Sequence, residues 1–257
     1  GQSLEAQIQQ LITQKKYSTA IRKLQQGLKR EPSQVLTVSE SDIWLLQGQD
    51  DIEQSRYSQA EKAFRKVLEI EPRESAYYGL AQALIFRKKP AVALALFQAA
   101  FEDKTLPKSL GGSYLKLLFL SGKAEVAEAL IKKQTKRFYA PHLHWARGAI
   151  ALKAGNPKAA LPHFKKIGRP SSPGDRPTLW ETFAHQQAGD WSLARKSLPL
   201  SAMPFGGSLF SAHLPKHPAT QQLMMAQIAH AELTPSDFFD LDQPALPERE
   251  AVWVLEL

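Results

Sequence analysis

At 257 residues and 28.7 kDa, with 43% apolar and 23% charged residues, the chain has the composition of a folded globular protein of one large domain or two small ones. No apolar run approaches the ~18 residues that a bilayer-spanning helix needs. The lack of cysteine removes disulfide scaffolds, thiolate zinc sites, cysteine-held iron–sulfur clusters and cysteine nucleophiles.

The chain opens Gly1-Gln2-Ser3, without Met and without a basic-then-apolar leader. That start reads as a processed end, compatible with removal of a signal or anchor, and a soluble cytoplasmic or periplasmic location is expected. From there a repeat runs down the chain. Ala20, Ala60, Ala93, Ala127, Ala160 and Ala194 are spaced by 40, 33, 34, 33 and 34 residues. Each is followed four residues later by a large apolar side chain: Leu24, Phe64, Phe97, Ile131, Phe164 and Leu198. Positions i and i+4 share a helical face. The pattern therefore predicts a small residue where two helix backbones meet and a bulky one filling the space a turn later.

The first unit (1–40) carries Tyr17, Ala20, Leu24, Leu28 and Pro32. It is six residues too long, which predicts a longer loop or an extended helix at 33–40. The second (41–73) has Trp44, Gly48, Tyr57, Ala60, Phe64 and Pro72, and the third (74–107) has Tyr77, Leu80, Ala81, Ala93, Phe97 and Ala100. The fourth (108–140) is the most degenerate, keeping Gly122, Ala127 and Ile131, with Gly111-Gly112 read as loosening it. The fifth (141–174) has Gly148, Gly155, Ala160 and Phe164; the sixth (175–198) has Gly189, Asp190, Trp191 and Ala194. Glycines 122, 155 and 189 read as helix stops, and Pro32 and Pro72 as ends of second helices.

These residues, above all those of the second unit, resemble the tetratricopeptide repeat (TPR) family, over about residues 1–198. The resemblance implies an all-α fold, a right-handed α–α superhelix of about six helix pairs. Beyond it, 199–218 is rich in proline, a capping helix is expected near 219–233, and 199–257 as a whole reads as an irregular C-terminal cap. The last segment, 231–257, is acidic and aromatic with a net charge of −6, against +8 for the whole chain. That tail is a candidate intramolecular partner of the basic body; an irregular terminal helix is the plainer alternative.

In the TPR family the first helices line a concave face. Carried over residue by residue, the resemblance implies a partner-binding surface of Leu45 and Gln49, then Tyr78, Gln82 and Phe86, then Phe119, then Trp145, then Trp180 and Phe183. For each of these, packing on a neighbouring repeat or on the tail is the competing reading. The family's carboxylate clamp for chaperone tails is not matched, because Leu45 and Gln49, Tyr78 and Gln82, or Trp145 and Ala149 stand at its Lys and Asn positions. A second candidate surface is the basic flank Lys132, Lys133, Lys136 and Arg137, suited to an acidic protein, nucleic acid or an anionic membrane. Nucleic acid is the weaker reading, since the aromatics stand at packing positions with no repeated base-reading pair.

No phosphate-loop, dinucleotide or zinc-protease motif occurs. His142 and His144, two residues apart, point to different sides of a helix, and Pro215 argues against His213 and His217 sharing a metal. The expectation is a non-enzymatic interaction scaffold or adaptor without metal or cofactor. A protein or peptide segment would bind in an aromatic groove. The alternatives are the basic-surface binder and a regulatory domain of a larger protein, or of a bacterial secretion or envelope assembly.

Overall fold

The structure, a computed structural model, describes residues 1–167 together with Glu181, Ala184, His185, 188–190 and Leu193. The expected cap, the helix near 219–233, the tail, and Trp180 and Phe183 lie outside the described residues. Ten α-helices and two short 3-10 turns form the regular elements among the described residues, so the all-α expectation holds.

The chain divides into two compact units, Gly1–Pro107 and Lys108–Leu257. In the first, α1 (Leu4–Thr13) pairs with α2 (Tyr17–Arg30), α3 (Glu40–Glu53) with α4 (Tyr57–Ile70), and α5 (Glu74–Phe86) with α6 (Pro90–Glu102). Each pair also packs on the next through α2 on α3 and α4 on α5, and the first helices α3 and α5 meet directly. In the second unit, α7 (Gly111–Leu120) pairs with α8 (Ala124–Lys133) and α9 (Ala140–Lys153) with α10 (Pro157–Lys165). There α9 also packs on both α7 and α8. This adjacent-helix packing is that of a TPR-type solenoid.

The alanine ladder is the packing seam. Ala20, Ala60, Ala93, Ala127 and Ala160 are all 0% exposed. The bulky residues one turn on, Leu24, Phe64, Phe97, Ile131 and Phe164, are buried beside them. A Cβ on Gly48 of α3 would stand 2.6 Å from Phe64 Cε1, and one on Gly79 of α5 only 2.4 Å from Phe64 Cζ. Only glycine admits the ring from both helices.

Helix starts follow local chemistry. Ser3 caps α1 by accepting from Ala6 N–H at 3.1 Å. Ser39 and Asp42 form a reciprocal capping box on α3. Asn156 accepts from Ala159 N–H at 3.2 Å, with Pro157 opening α10.

The turns inside the pairs are one device repeated. Lys15, Ser55, Lys88, Gly122, Gly155 and Gly189 all have φ between +57° and +79°. The next residue's N–H reaches back five positions, as in Lys16 to Leu11 O (2.9 Å), Arg56 to Asp51 O (2.7 Å) and Asp190 to His185 O (2.9 Å). This is the Schellman stop.

The extra length of the first unit is a loop and does not extend a helix. It folds back on α1: Val38 is buried and Leu36 packs on the cluster of Ile8, Ala20, Ile21, Leu24 and Ile43. Thr37 donates its N–H (2.7 Å) and its hydroxyl to Glu5 Oε1, and these bonds hold the Glu5 carboxyl below its ordinary range.

Candidate interaction surface

Of the nine proposed groove residues, the seven that the structure describes divide by burial. On α3, Leu45 is buried while Gln49 is exposed, and Leu46 beside them is 38% exposed. On α5, Gln82 and Phe86 are buried and Tyr78 is half-buried. The α5 sequence is apolar almost all round, and such a helix packs on every side; from Ala76 to Phe86 only Tyr78 is not buried. Phe86 lies 4.5 Å, centroid to centroid, from the Tyr57 ring of α4. In the second unit Phe119 and Trp145 are buried edge to face at 5.2 Å, with Lys116 Nζ 5.2 Å from the Trp145 ring. The structure thus brings together Leu45 and Gln49 with Tyr78 and Gln82 on packed helices of one unit, and Phe119 with Trp145 in the other.

The basic flank lies at the end of α8 and in the 3-10 turn Thr135–Arg137. Lys132, Lys133 and Lys136 are exposed and Arg137 is half-buried. Lys132 pairs with Glu128 at 3.0 Å within the helix, and Arg137 donates to Gln134 Oε1 at 3.1 Å. Cations in a last turn complement the carbonyl end of a helix, which is the plain structural use of Lys132 and Lys133.

The two histidines of α9 go separate ways. His142 Nδ1 accepts from Gly112 N–H at 3.1 Å. Burial, with the Lys116 charge second, pushes its pKa down to about 4. A Cβ on Gly112 would stand 2.5 Å from the His142 ring. Gly112 therefore admits α9 to α7 and does not loosen the fourth unit. Burial first, then the charges of Arg147 on its own helix and Lys166 at the end of α10, hold His144 below its ordinary pKa, and His163 is lowered by burial and the same two cations. Sequence reasoning missed this coupling, because the residues stand 19 apart in pairs and match no motif.

Ion pairs stitch consecutive helix pairs. Lys15 bonds Asp50 at 2.7 Å, Arg73 bonds Asp42 at 2.6 Å, and Arg87 bonds Glu61. Arg73 also shares Ser41 Oγ, which donates to Glu71 at 2.6 Å. Among the described residues no three His, Asp or Glu side chains are grouped to hold a metal. No described helix is long and apolar enough to cross a membrane.

Helix pairs joined by one repeated turn and stacked through an alanine seam define a helical-hairpin repeat protein. Residues 45–107, from α3 to the end of the first unit, match the tetratricopeptide repeat family. Helix pairs of the same kind continue on both sides of that segment, which supports a TPR assignment. No curated protein matches the sequence. Tetratricopeptide repeats mediate protein–protein interactions, and the family is typically a non-enzymatic scaffold.

Proposed function

We infer that the protein is an interaction scaffold or adaptor that receives a partner segment along the first helices of its N-terminal unit, at Leu46 and Gln49 of α3 and Tyr78 of α5. One observation carries the reading. On α3 the seam residues Leu45 and Gly48 are buried, while their neighbours Leu46 and Gln49 remain open to solvent. An apolar and an amide side chain therefore stand on a helix already fixed by its packing. A surface ordered in advance spares a partner part of the entropy of binding, and a partly apolar, extended or helical segment is the matching ligand. The deeper groove residues Leu45, Gln82 and Phe86 act in this reading as the packed support behind the contact surface, while Phe119 and Trp145 pack on each other in the second unit.

The test is affinity capture from the native source with immobilised protein. Gln49→Arg combined with Leu46→Ser should lower retention of the captured partner by about tenfold or more, the range of an interface hot spot. Lys132→Glu with Lys133→Glu should leave retention unchanged. The opposite pattern, with capture abolished by moderate salt, would shift the function to the basic flank.

A further inference from the structure

Charge is not shared evenly along the chain. Residues 1–107 hold 15 Lys and Arg against 13 Asp and Glu, a net of +2, whereas residues 108–167 hold 12 against two, a net of +10. The two acids are Glu125 and Glu128, and Glu128 pairs with Lys132. Much of the surplus collects at one edge of the second unit. Helices α8, α9 and α10 follow one another antiparallel and in contact, so the end of α8, the start of α9 and the end of α10 share that edge. Lys108, just ahead of α7, reaches the same place, with its Nζ 4.9 Å from the centroid of the Tyr139 ring at the start of α9. Lys133 and Lys136, Lys165 and Lys166, and Lys108 are all exposed there, and Tyr139 is 47% exposed beside Lys108.

Helix ends account for part of this pattern, since Lys133 and Lys165 complement the carbonyl ends of α8 and α10. Lys108 and Lys136 instead stand just ahead of helix starts, where the same field disfavours a cation. Cations so placed, with a large aromatic left in water among them, fit an occupant that is both anionic and aromatic. The chain carries such a segment. Residues 231–257 hold seven carboxylates against the single Arg249, a net of −6, and Phe238 and Phe239 stand between Asp237 and Asp240, with Asp242 two residues on. We propose that this segment, which lies outside the described residues, docks on the basic edge of its own unit, with carboxylates on the exposed lysines and the phenylalanines on Tyr139. Another polyanion then reaches the edge only by displacing it. A tethered segment acts at an effective concentration of up to about millimolar, so contacts too weak to hold a separate peptide suffice. The inference rests on the second unit alone and stands whether or not a partner binds at Leu46 and Gln49.

Amine acetylation of the full chain, followed lysine by lysine by mass spectrometry, tests it. One variant combines Asp237→Asn, Asp240→Asn and Asp242→Asn; another combines Phe238→Ser and Phe239→Ser. At about 0.01 M salt, Lys108, Lys133, Lys136, Lys165 and Lys166 should react about fivefold faster or more in the first variant than in the parent, through loss of three exposed charge pairs. Lys123 and Lys158, exposed at the opposite edge, should react alike in both. Salt at about 1 M, which shortens the screening length from about 30 Å to about 3 Å, should bring the parent to the variant's rates. The second variant keeps every charge and should also free the lysines; parent rates there would reduce the tail to a distant field and overturn the docking. Protection that fades on about tenfold dilution would move the contact to a second copy, and equal rates in the parent and both variants would leave the edge to an outside polyanion. Either result also overturns the proposal.

Discussion

Phe64 offers a test in which the packing argument predicts a change of sign. Its ring is 1% exposed and lies between α3 and α5. In the interior of a helix, Gly→Ala gains about 0.5–1 kcal/mol from backbone entropy. At Gly79, however, the new Cβ would lie 2.4 Å from Phe64 Cζ and 2.7 Å from Cε1 and Cε2. That is about 1 Å inside ordinary carbon–carbon contact. The ring cannot retreat, because Gly48 already holds it within 2.6 Å of the position a Cβ would take on the other side. Overpacking of this kind costs about 1–3 kcal/mol, so Gly79→Ala should destabilise by about 1–2 kcal/mol net. Phe64→Leu removes the three ring atoms responsible. In that background the same Gly79→Ala should become neutral or stabilising by up to about 1 kcal/mol. The coupling between the two sites is then about 1–3 kcal/mol, above the scatter of additive pairs. Equilibrium urea unfolding of the four chains measures it. Hydrogen exchange at amides of α3 to α5 localises the loss, about tenfold in protection per 1.4 kcal/mol. An effect of Gly79→Ala with the same sign and size in both backgrounds would refute the sandwich.

The turns make a second prediction. Gly155 has φ +74° with no atom within 4 Å of a built Cβ, so Gly155→Ala isolates the backbone cost and should destabilise by about 1–2 kcal/mol. Ser55→Gly, at φ +59°, should gain about 0.5 kcal/mol, because relief of strain is partly offset by entropy. Thermal unfolding of each reports the change, and an Ala variant as stable as the parent would contradict the left-handed geometry. A third prediction concerns acid. His142 titrates near 4 when folded, below the ordinary 6.5 of an unfolded chain. The unfolded state therefore binds the extra proton first, and the stability His142 confers is complete above pH 6.5 and lost as pH falls toward 4. Allowing for screening of a partly exposed ring, the loss is about 2 kcal/mol. Urea midpoints across that pH window should fall less steeply in His142→Asn.

The residues that could be read from the sequence are those whose identity is dictated by backbone approach. An alanine at a helix contact and a bulky residue one turn later leave a spacing that survives even in the degenerate fourth unit, where Ala127 and Ile131 stay buried. What could not be read falls into two kinds. Some devices are carried by residues without the expected chemistry: Lys15, Ser55 and Lys88 occupy the left-handed stop that Gly122, Gly155 and Gly189 advertise openly. Others depend on what lies across the space from a residue. Phe119 and Trp145 match groove positions by number, yet each is the other's packing partner. On α7 every residue from Gly111 to Phe119 is buried, so the helix carries no polar stripe to mark an open side. The 33–40 loop is held by Val38 and by Thr37 on Glu5, contacts that periodicity within a helix does not encode.

The turn and the seam are one constraint. The left-handed residues at 15, 55, 88, 122, 155 and 189 each precede the corresponding ladder alanine by five positions. A Schellman stop fixes where the second helix begins and its direction, so the residue five places on always lands on the same face of that helix, toward the first helix. A bulky side chain there would separate the backbones, and a different offset would rotate the seam away from its partner. This explains how the first unit can be six residues too long without disturbing the others. The extra chain lies after α2, between pairs, while the offset inside the pair is kept. The seam residues that serve this constraint are buried and have no freedom to recognise anything. Leu46 and Gln49, open on α3, lie outside it. Neither is required by the hairpin geometry, and so under the proposed function these are the places where substitution should change binding while leaving the fold intact.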